Sequence, residues 1–144
     1  MSIHGPYDPE NIFAKILARE MPVAMIATSA RTIAFMDAFP QSRGHCLVIP
    51  KAPSRNLLEI ARKDLSAVTD QVQIIAKAVE KALKPDGITI TQFNGAPAGQ
   101  TVFHTHFHII PRYTDQALAG HSKGQMADMA ELKKIAAEIR EQMP

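Results

Sequence analysis

Three of the six histidines in this 144-residue chain stand at alternate positions, His104, His106 and His108, late in the run Gln92-Phe93-Asn94-Gly95-Ala96-Pro97-Ala98-Gly99-Gln100-Thr101 and onward to Arg112. Alternate side chains of a strand share a face. Residues 101–110, read as one strand stopped by Pro111, therefore predict three imidazoles on one side, with Phe103, Thr105, Phe107 and Ile109 packing on the other. Three titratable rings at strict period two, directly after a glycine-bearing loop, fit a reactive site better than a set of satisfied core histidines.

Two chemistries compete for such a row. Zinc is one, since His-x-His on a strand is a known ligand arrangement. Alternate strand residues lie about 6.6 Å apart and the first and third about 13 Å apart. Two neighbours could then share an ion, while the third would need a sharp bend, and no Cys-x-x-Cys or His-Glu-x-x-His completes a site. The other is phosphorus chemistry. A phosphate ester or anhydride spreads its oxygens along a line, and the loop 94–99 is small enough for backbone N–H groups to approach an anion. The loop lacks the Gly-Lys-Ser/Thr of a P-loop. A neutral imidazole is a competent nucleophile near neutral pH. Its attack on phosphorus gives a phosphoramidate-linked intermediate that water resolves, with N–H groups and rings stabilising charge on the non-bridging oxygens.

Positioning these rings takes a framework of mixed elements. Asp8 as cap and Pro9 as first helical residue predict a short helix over 10–19, with Ile12, Phe13, Ile16 and Leu17 on one side. Residues 24–28 and 32–36 read as a hairpin, and 46–49 as a buried strand ended by Pro50. Asn56 to Glu59 has the form of a capping box and predicts one helical turn. Leu65, Val68, Val72, Ile75, Val79 and Leu83 share the face of a long helix ended by Pro85 and Gly87. Residues 88–93 alternate as a strand. Residues 114–125 are polar and irregular, and Asp128 caps a terminal helix carrying Leu132, Ile135, Ala136 and Ile139. The order α-β-β-β-α-β-β-α, with connections mostly too short for parallel crossovers, predicts an α+β fold with a mainly antiparallel five-stranded sheet and helices packed on it.

Composition narrows the function classes. Sixteen Lys plus Arg against fourteen Asp plus Glu leave a formal charge of +2, without the basic footprint of a nucleic-acid binder. An apolar fraction of 46% and a charged fraction of 21% are ordinary for a globular chain of single-domain length. The single cysteine, Cys46, excludes an intrachain disulfide and, in its apolar strand, reads as inert rather than as a nucleophile. No signal-like start and no membrane-length apolar run occur, so a cytoplasmic location with no membrane partner is the expectation. His4 and His121 lie in irregular polar stretches and are expected to be idle.

The run His104-Thr105-His106-Phe107-His108-Ile109-Ile110 resembles the signature of the histidine-triad family, small nucleotide hydrolases and transferases named for it. The similarity extends to Ala98-Gly99-Gln100-Thr101-Val102 upstream, to Thr32 through Asp37 with Pro40-Gln41, to Gly44 through Lys51, and to the opening helix at Ile12-Phe13-Ala14-Lys15-Ile16. It covers residues 10–112 of one 1–144 domain, with 113–144 as a C-terminal extension whose helix is expected to serve packing or a dimer. The resemblance implies that His106 is the nucleophile, that His108 hydrogen-bonds the α-phosphate, and that His104 and His45 support the site. It further implies that Asn94, Gly99, Gln100 and Thr101 contact phosphate or leaving group, and that Asp37 binds the ribose hydroxyls. Ile12, Phe13, Ile16 and Phe35 would line a purine pocket. The implied partners are purine nucleoside monophosphates and their conjugates, with a homodimer whose sheets join. Cleavage of phosphoramidate or phosphoanhydride conjugates is the reading that follows. A dinucleoside polyphosphate hydrolase, a nucleotidyl transferase and a non-catalytic purine nucleotide-binding module stand as alternatives. Some bacterial relatives hold a structural zinc with Cys-x-x-Cys in the opening helix. Asn11 and Ala14 stand at those positions here, so no metal and no cofactor are expected.

Overall fold

A computed structural model describes residues 2–118 and 126–144. Among them, the chain forms α1 (Ile12–Leu17), β1 (Met25–Thr28), β2 (Thr32–Met36), β3 (Cys46–Pro50), α2 (Arg62–Leu83), β4 (Gly87–Thr91), β5 (Phe107–Arg112) and α3 (Met129–Glu141), with a single 3₁₀ turn at Ala96–Ala98. The strands make one five-stranded sheet in the order β1-β2-β3-β5-β4, antiparallel at every junction. The α+β fold with an antiparallel sheet is as the sequence implies. His121 and part of the polar 114–125 stretch lie outside the described residues. Among those described, no helix is long and apolar enough to cross a membrane.

Strand alternation divides the sheet into two faces. Ala34 and Met36 of β2, Cys46 and Val48 of β3 and Ile109 of β5 turn to the side covered by α2 and α3. There they meet Val68, Ile75 and Val79 of α2 and Leu132, Ile135 and Ile139 of α3. Ile33 and Phe35, with Leu47 and Ile49, turn to the opposite face and pack against Phe13 and Ile16 of α1. Every residue of β2 and β3 is buried because both faces are covered. The same parity sends Asp37, His45 and His108 toward the α1 face, since each lies an even number of residues from Phe35, Leu47 or their register partner.

Several boundaries differ from expectation. Asn11, rather than Asp8, caps α1, accepting from the N–H groups of Phe13 and Ala14, while Asp8 accepts from Glu10 N–H in a preceding turn. Residues 56–59 form a turn without a helix. Glu59 reaches back to Arg55 N–H, one residue beyond the capping-box position, and Asn56 accepts from Leu58 N–H. The largest correction concerns the histidines. The expected strand 101–110 is irregular as far as His106, and β5 starts only at Phe107 and runs through Pro111. Residues 100–106 satisfy their polar groups elsewhere: Thr105 N–H donates to Ser54 O, and the Gln100 amide donates to Arg55 O and Val102 O. These bonds replace a sheet ladder. Pro111 is tolerated because β3 stops pairing at Ile109, leaving β5 bonded only to β4 there.

Candidate active site

With the strand broken before Phe107, the three histidines no longer share a face, and each is held differently. His108 sits in β5 opposite Leu47 and Thr91. His106 and His108 line a cavity of about 380 Å³ together with Thr101, Val102 and Asp37, their ring centroids 5.0 Å apart. His104 is turned away from it. Its Nε2 lies 2.8 Å from Pro50 O and its Nδ1 2.7 Å from the Tyr7 hydroxyl, and the ring is wholly buried. Burial holds the His104 pKa below the ordinary histidine value, with the Pro50 carbonyl acting in the opposite direction.

Carbonyl oxygens only accept, which fixes two ring tautomers. His106 Nδ1 lies 2.7 Å from His104 O, so Nδ1 carries the proton and Nε2 of the neutral ring holds the lone pair. His104 bears its proton on Nε2 by the same reasoning. His45 lies behind the cavity, against His108. Its Nδ1 accepts from Gln41 N–H at 3.0 Å, so its Nε2 donates, with His108 Nδ1 at 2.9 Å and Asp37 Oδ2 at 3.4 Å. The loop 38–44 is folded to make this possible. Asp37 N–H donates to His45 O, and Phe39 N–H donates to Asp37 Oδ1. Asp37, His45 and His108 bring one ligand atom each within 4.8 Å of one another, a grouping that could hold a metal ion. The adjacent His-x-His pairs considered from sequence do not form it.

The apolar wall contains all four residues expected there: Ile12, Phe13 and Ile16 from α1 and Phe35 from β2. Phe13 stands edge-on to His106 at 4.9 Å between centroids and to Phe35 at 5.6 Å. Of the four residues expected around phosphate, Thr101 lines the cavity. The Asn94 side chain instead pairs with the Gln92 amide and accepts from Leu57 N–H. Gln100 is buried, accepting from Gly95 N–H while donating to two carbonyls. Gly99 adopts φ +107, where an added Cβ would meet the Phe93 ring at 3.4 Å. Asn94 and Gln100 thus hold the chain around the turn that Gly99 makes before Thr101. Cys46 faces the α2–α3 core, not His45's side, and burial foremost, with Asp37 adding to it, pushes its thiol up.

Sequence reasoning missed Tyr7, and it also missed the wall built by Met126, Met129 and Leu132 at the start of α3. Nothing in the spacing around Tyr7 marks it. Leu132 was legible only as a packing residue of the terminal helix.

The HIT domain family model matches residues 18–115. A crystal structure of a HIT-like protein from Bartonella henselae superposes with a TM-score of 0.88 at 46% identity, covering 96% of this chain and 100% of that one. A HIT-like protein of Saccharolobus solfataricus is 41% identical over 72% of this chain and 74% of its own length. An adenosine 5′-monophosphoramidase of Schizosaccharomyces pombe is 37% identical over 73% of this chain and 76% of its own length. Family match, shared fold and an intact triad lead to one assignment: the chain belongs to the histidine-triad (HIT) family, a family of nucleotide hydrolases and transferases.

Proposed function

We propose that this protein splits nucleoside 5′-monophosphates from phosphoramidate or phosphoanhydride conjugates through a nucleotidylated His106. The observation that carries the reading is the 2.7 Å contact between His106 Nδ1 and His104 O, which directs the lone pair of a cavity-lining imidazole to Nε2. In the first step Nε2 bonds to the α-phosphorus, the bond from phosphorus to the leaving nitrogen or oxygen breaks, and the leaving group departs with a proton taken from solvent, which the attacking water of the second step returns. In the second, water adds to phosphorus, the phosphorus–nitrogen bond breaks, and the monophosphate leaves with His106 restored. His108, accepting at Nδ1 from His45, presents an Nε2–H suited to a non-bridging oxygen, and Thr101 supplies a hydroxyl on the same wall.

Asp37, at the cavity beside Phe35, is assigned to the ribose hydroxyls, and the apolar wall around Phe13 to a purine base. An apolar wall carrying the Phe13 and Phe35 rings suits adenine and guanine alike. The relationship to a monophosphoramidase supports an amine leaving group. A homodimer joined at a sheet edge belongs to the same reading, and β1 and β4 are the outer strands of the sheet. Brief exposure to adenosine 5′-phosphoramidate followed by acid-free mass analysis should trap one nucleotidyl group on His106, and His106→Ala should abolish both adduct and turnover. Turnover of His106→Ala at the wild-type rate would overturn the assignment. Binding of nucleoside monophosphates with no turnover of phosphoramidates or dinucleoside polyphosphates would make the protein a binding module.

A further inference from the structure

The segment leading into α1 lies across the outside of the triad and is gripped from beneath by one buried cation. Arg55, 3% exposed, donates Nη2 to Ser2 O at 2.8 Å, Nε to Ile3 O at 3.2 Å and Nη1 to Pro6 O at 3.2 Å. Asn56 adds a bond from Nδ2 to Ile3 O at 2.8 Å. The guanidinium carbon lies 4.4 Å from the centre of the Phe103 ring. Gly5 passes so near that a Cβ there would sit 3.1 Å from the guanidinium carbon. A guanidinium holds its donors in a rigid plane, so three carbonyls reach it together only if the chain follows one path. That path ends at Tyr7, whose hydroxyl meets His104 Nδ1 at 2.7 Å.

The bond has a defined direction. His104 Nε2 carries the proton because Pro50 O can only accept, so Nδ1 of the neutral ring accepts and Tyr7 donates. Clamped at both nitrogens, the ring fixes the His104 end of the peptide group joining it to Thr105. The same peptide group is held from its other side, since Thr105 N–H donates to Ser54 O at 2.9 Å. Its carbonyl is the one that accepts the hydrogen bond from His106 Nδ1–H.

We propose that Tyr7 is a positioning residue. The Arg55-gripped strap delivers its hydroxyl to His104 Nδ1, which together with Pro50 O at Nε2 holds the ring in place, and the ring so held keeps the His104 carbonyl on His106 Nδ1 with the His106 lone pair toward the cavity. The strap thereby couples residues far upstream of the triad to the reactive ring. The consequence for catalysis rests on the nucleophile reading above, whereas the tautomer consequence does not.

The test is Tyr7→Phe, which keeps the ring and removes the hydroxyl, in full-length protein labelled with ¹⁵N at histidine. Two-bond ¹H–¹⁵N spectra at neutral pH should show His104 as Nε2–H and His106 as Nδ1–H in the wild type. In Tyr7→Phe the His104 Nδ1 resonance should move toward that of a nitrogen accepting no hydrogen bond, and His106 should show a mixture of tautomers. With adenosine 5′-phosphoramidate, kcat should fall about tenfold with KM within twofold, the pattern of a lost orienting contact. Arg55→Met, which releases the strap, should reproduce both changes, and the double variant should be no worse than either single one. Unchanged ¹⁵N shifts for His104 and His106 in a folded Tyr7→Phe protein, or a wild-type His104 found as Nδ1–H, would overturn the proposal. If the wild type turns over no nucleotide conjugate, the catalytic reading fails, while the tautomer shifts still decide the role of the strap.

Discussion

His45 Nε2 donates to His108 Nδ1 across 2.9 Å, at a point where both rings are almost fully buried. This bond sets the proton-bearing face of His108, because a ring accepting at Nδ1 carries its hydrogen at Nε2. The direction is imposed from still further back, by Gln41 N–H donating to His45 Nδ1. Backbone geometry at residue 41 thus determines, through two imidazoles, which atom of His108 can address an oxygen. Replacing His45 by Ala should leave His108 present but unoriented, and kcat should drop about 10- to 100-fold, the range for groups that orient a ligand from behind. Steady-state kinetics of His45→Ala, with circular dichroism to confirm folding, checks this. A kcat within twofold of the wild type would remove His45 from the site.

That chain of bonds also marks the limit of what the residue order reveals. The antiparallel sheet and the face of α2 follow from periodicity, because burial of one face per element leaves a repeating trace in sequence, whereas the apolar wall of Ile12, Phe13, Ile16 and Phe35 came only from the family resemblance. Asp37 and His45 stand at the two ends of the β2–β3 connection and His108 in β5, and only parity across two strand registers brings them together. The break before Phe107 was not legible because residues 101–110 alternate like a strand. What overrides the alternation is a set of long-range bonds to Ser54, Arg55 and Pro50, none of which has a local signature. Asn94 and Gln100 illustrate the same point: Asn94 accepts from the distant Leu57 N–H, and Gln100 bridges Gly95 N–H and Arg55 O, contacts with no local signature.

Cys46 neighbours His45 in sequence but points into the helix-covered core, with its thiol raised by burial. A thiol in that condition forms thiolate only when the fold opens. Native protein at pH 8 should therefore show no reaction with a disulfide reagent on the timescale of minutes, and one thiol should react in full in denaturing urea. Cys46→Ala should retain turnover within twofold. Rapid labelling of native protein would contradict the packing.

Burial of His104 gives a stability that depends on pH with a definite sign. Its folded-state pKa lies below the ordinary value of about 6.5, so the unfolded chain binds the extra proton first as pH falls. The contribution is fully present above that ordinary value and is lost progressively as pH drops toward the folded-state pKa. One group of this kind changes stability by at most about 1.4 kcal/mol per pH unit within that window. Urea unfolding followed from pH 7.5 to pH 5 should show the decline in the wild type. His104→Gln, which cannot titrate, should show a shallower slope, and equal slopes would mean that this ring contributes none of the acid lability.

Met129, at the first turn of α3, and Met126 just before it line the same cavity as Phe13 and Phe35, so the C-terminal helix does more than pack against α2. Methionine is unbranched and polarizable, which suits a wall that must accept a flat ring without reading its edge. If this wall meets the base, trimming it should weaken binding of the base-bearing ligand alone. Met129→Ala should bind adenosine 5′-monophosphate about five- to tenfold more weakly, in line with the few methylenes removed from an apolar subsite. Affinity for ribose 5-phosphate, which carries the sugar and phosphate without a base, should stay within twofold. Calorimetric titration of both ligands into wild type and variant separates the two effects. Equal losses for both would place the base elsewhere, because damage to the phosphate end of the cavity would weaken the two ligands together.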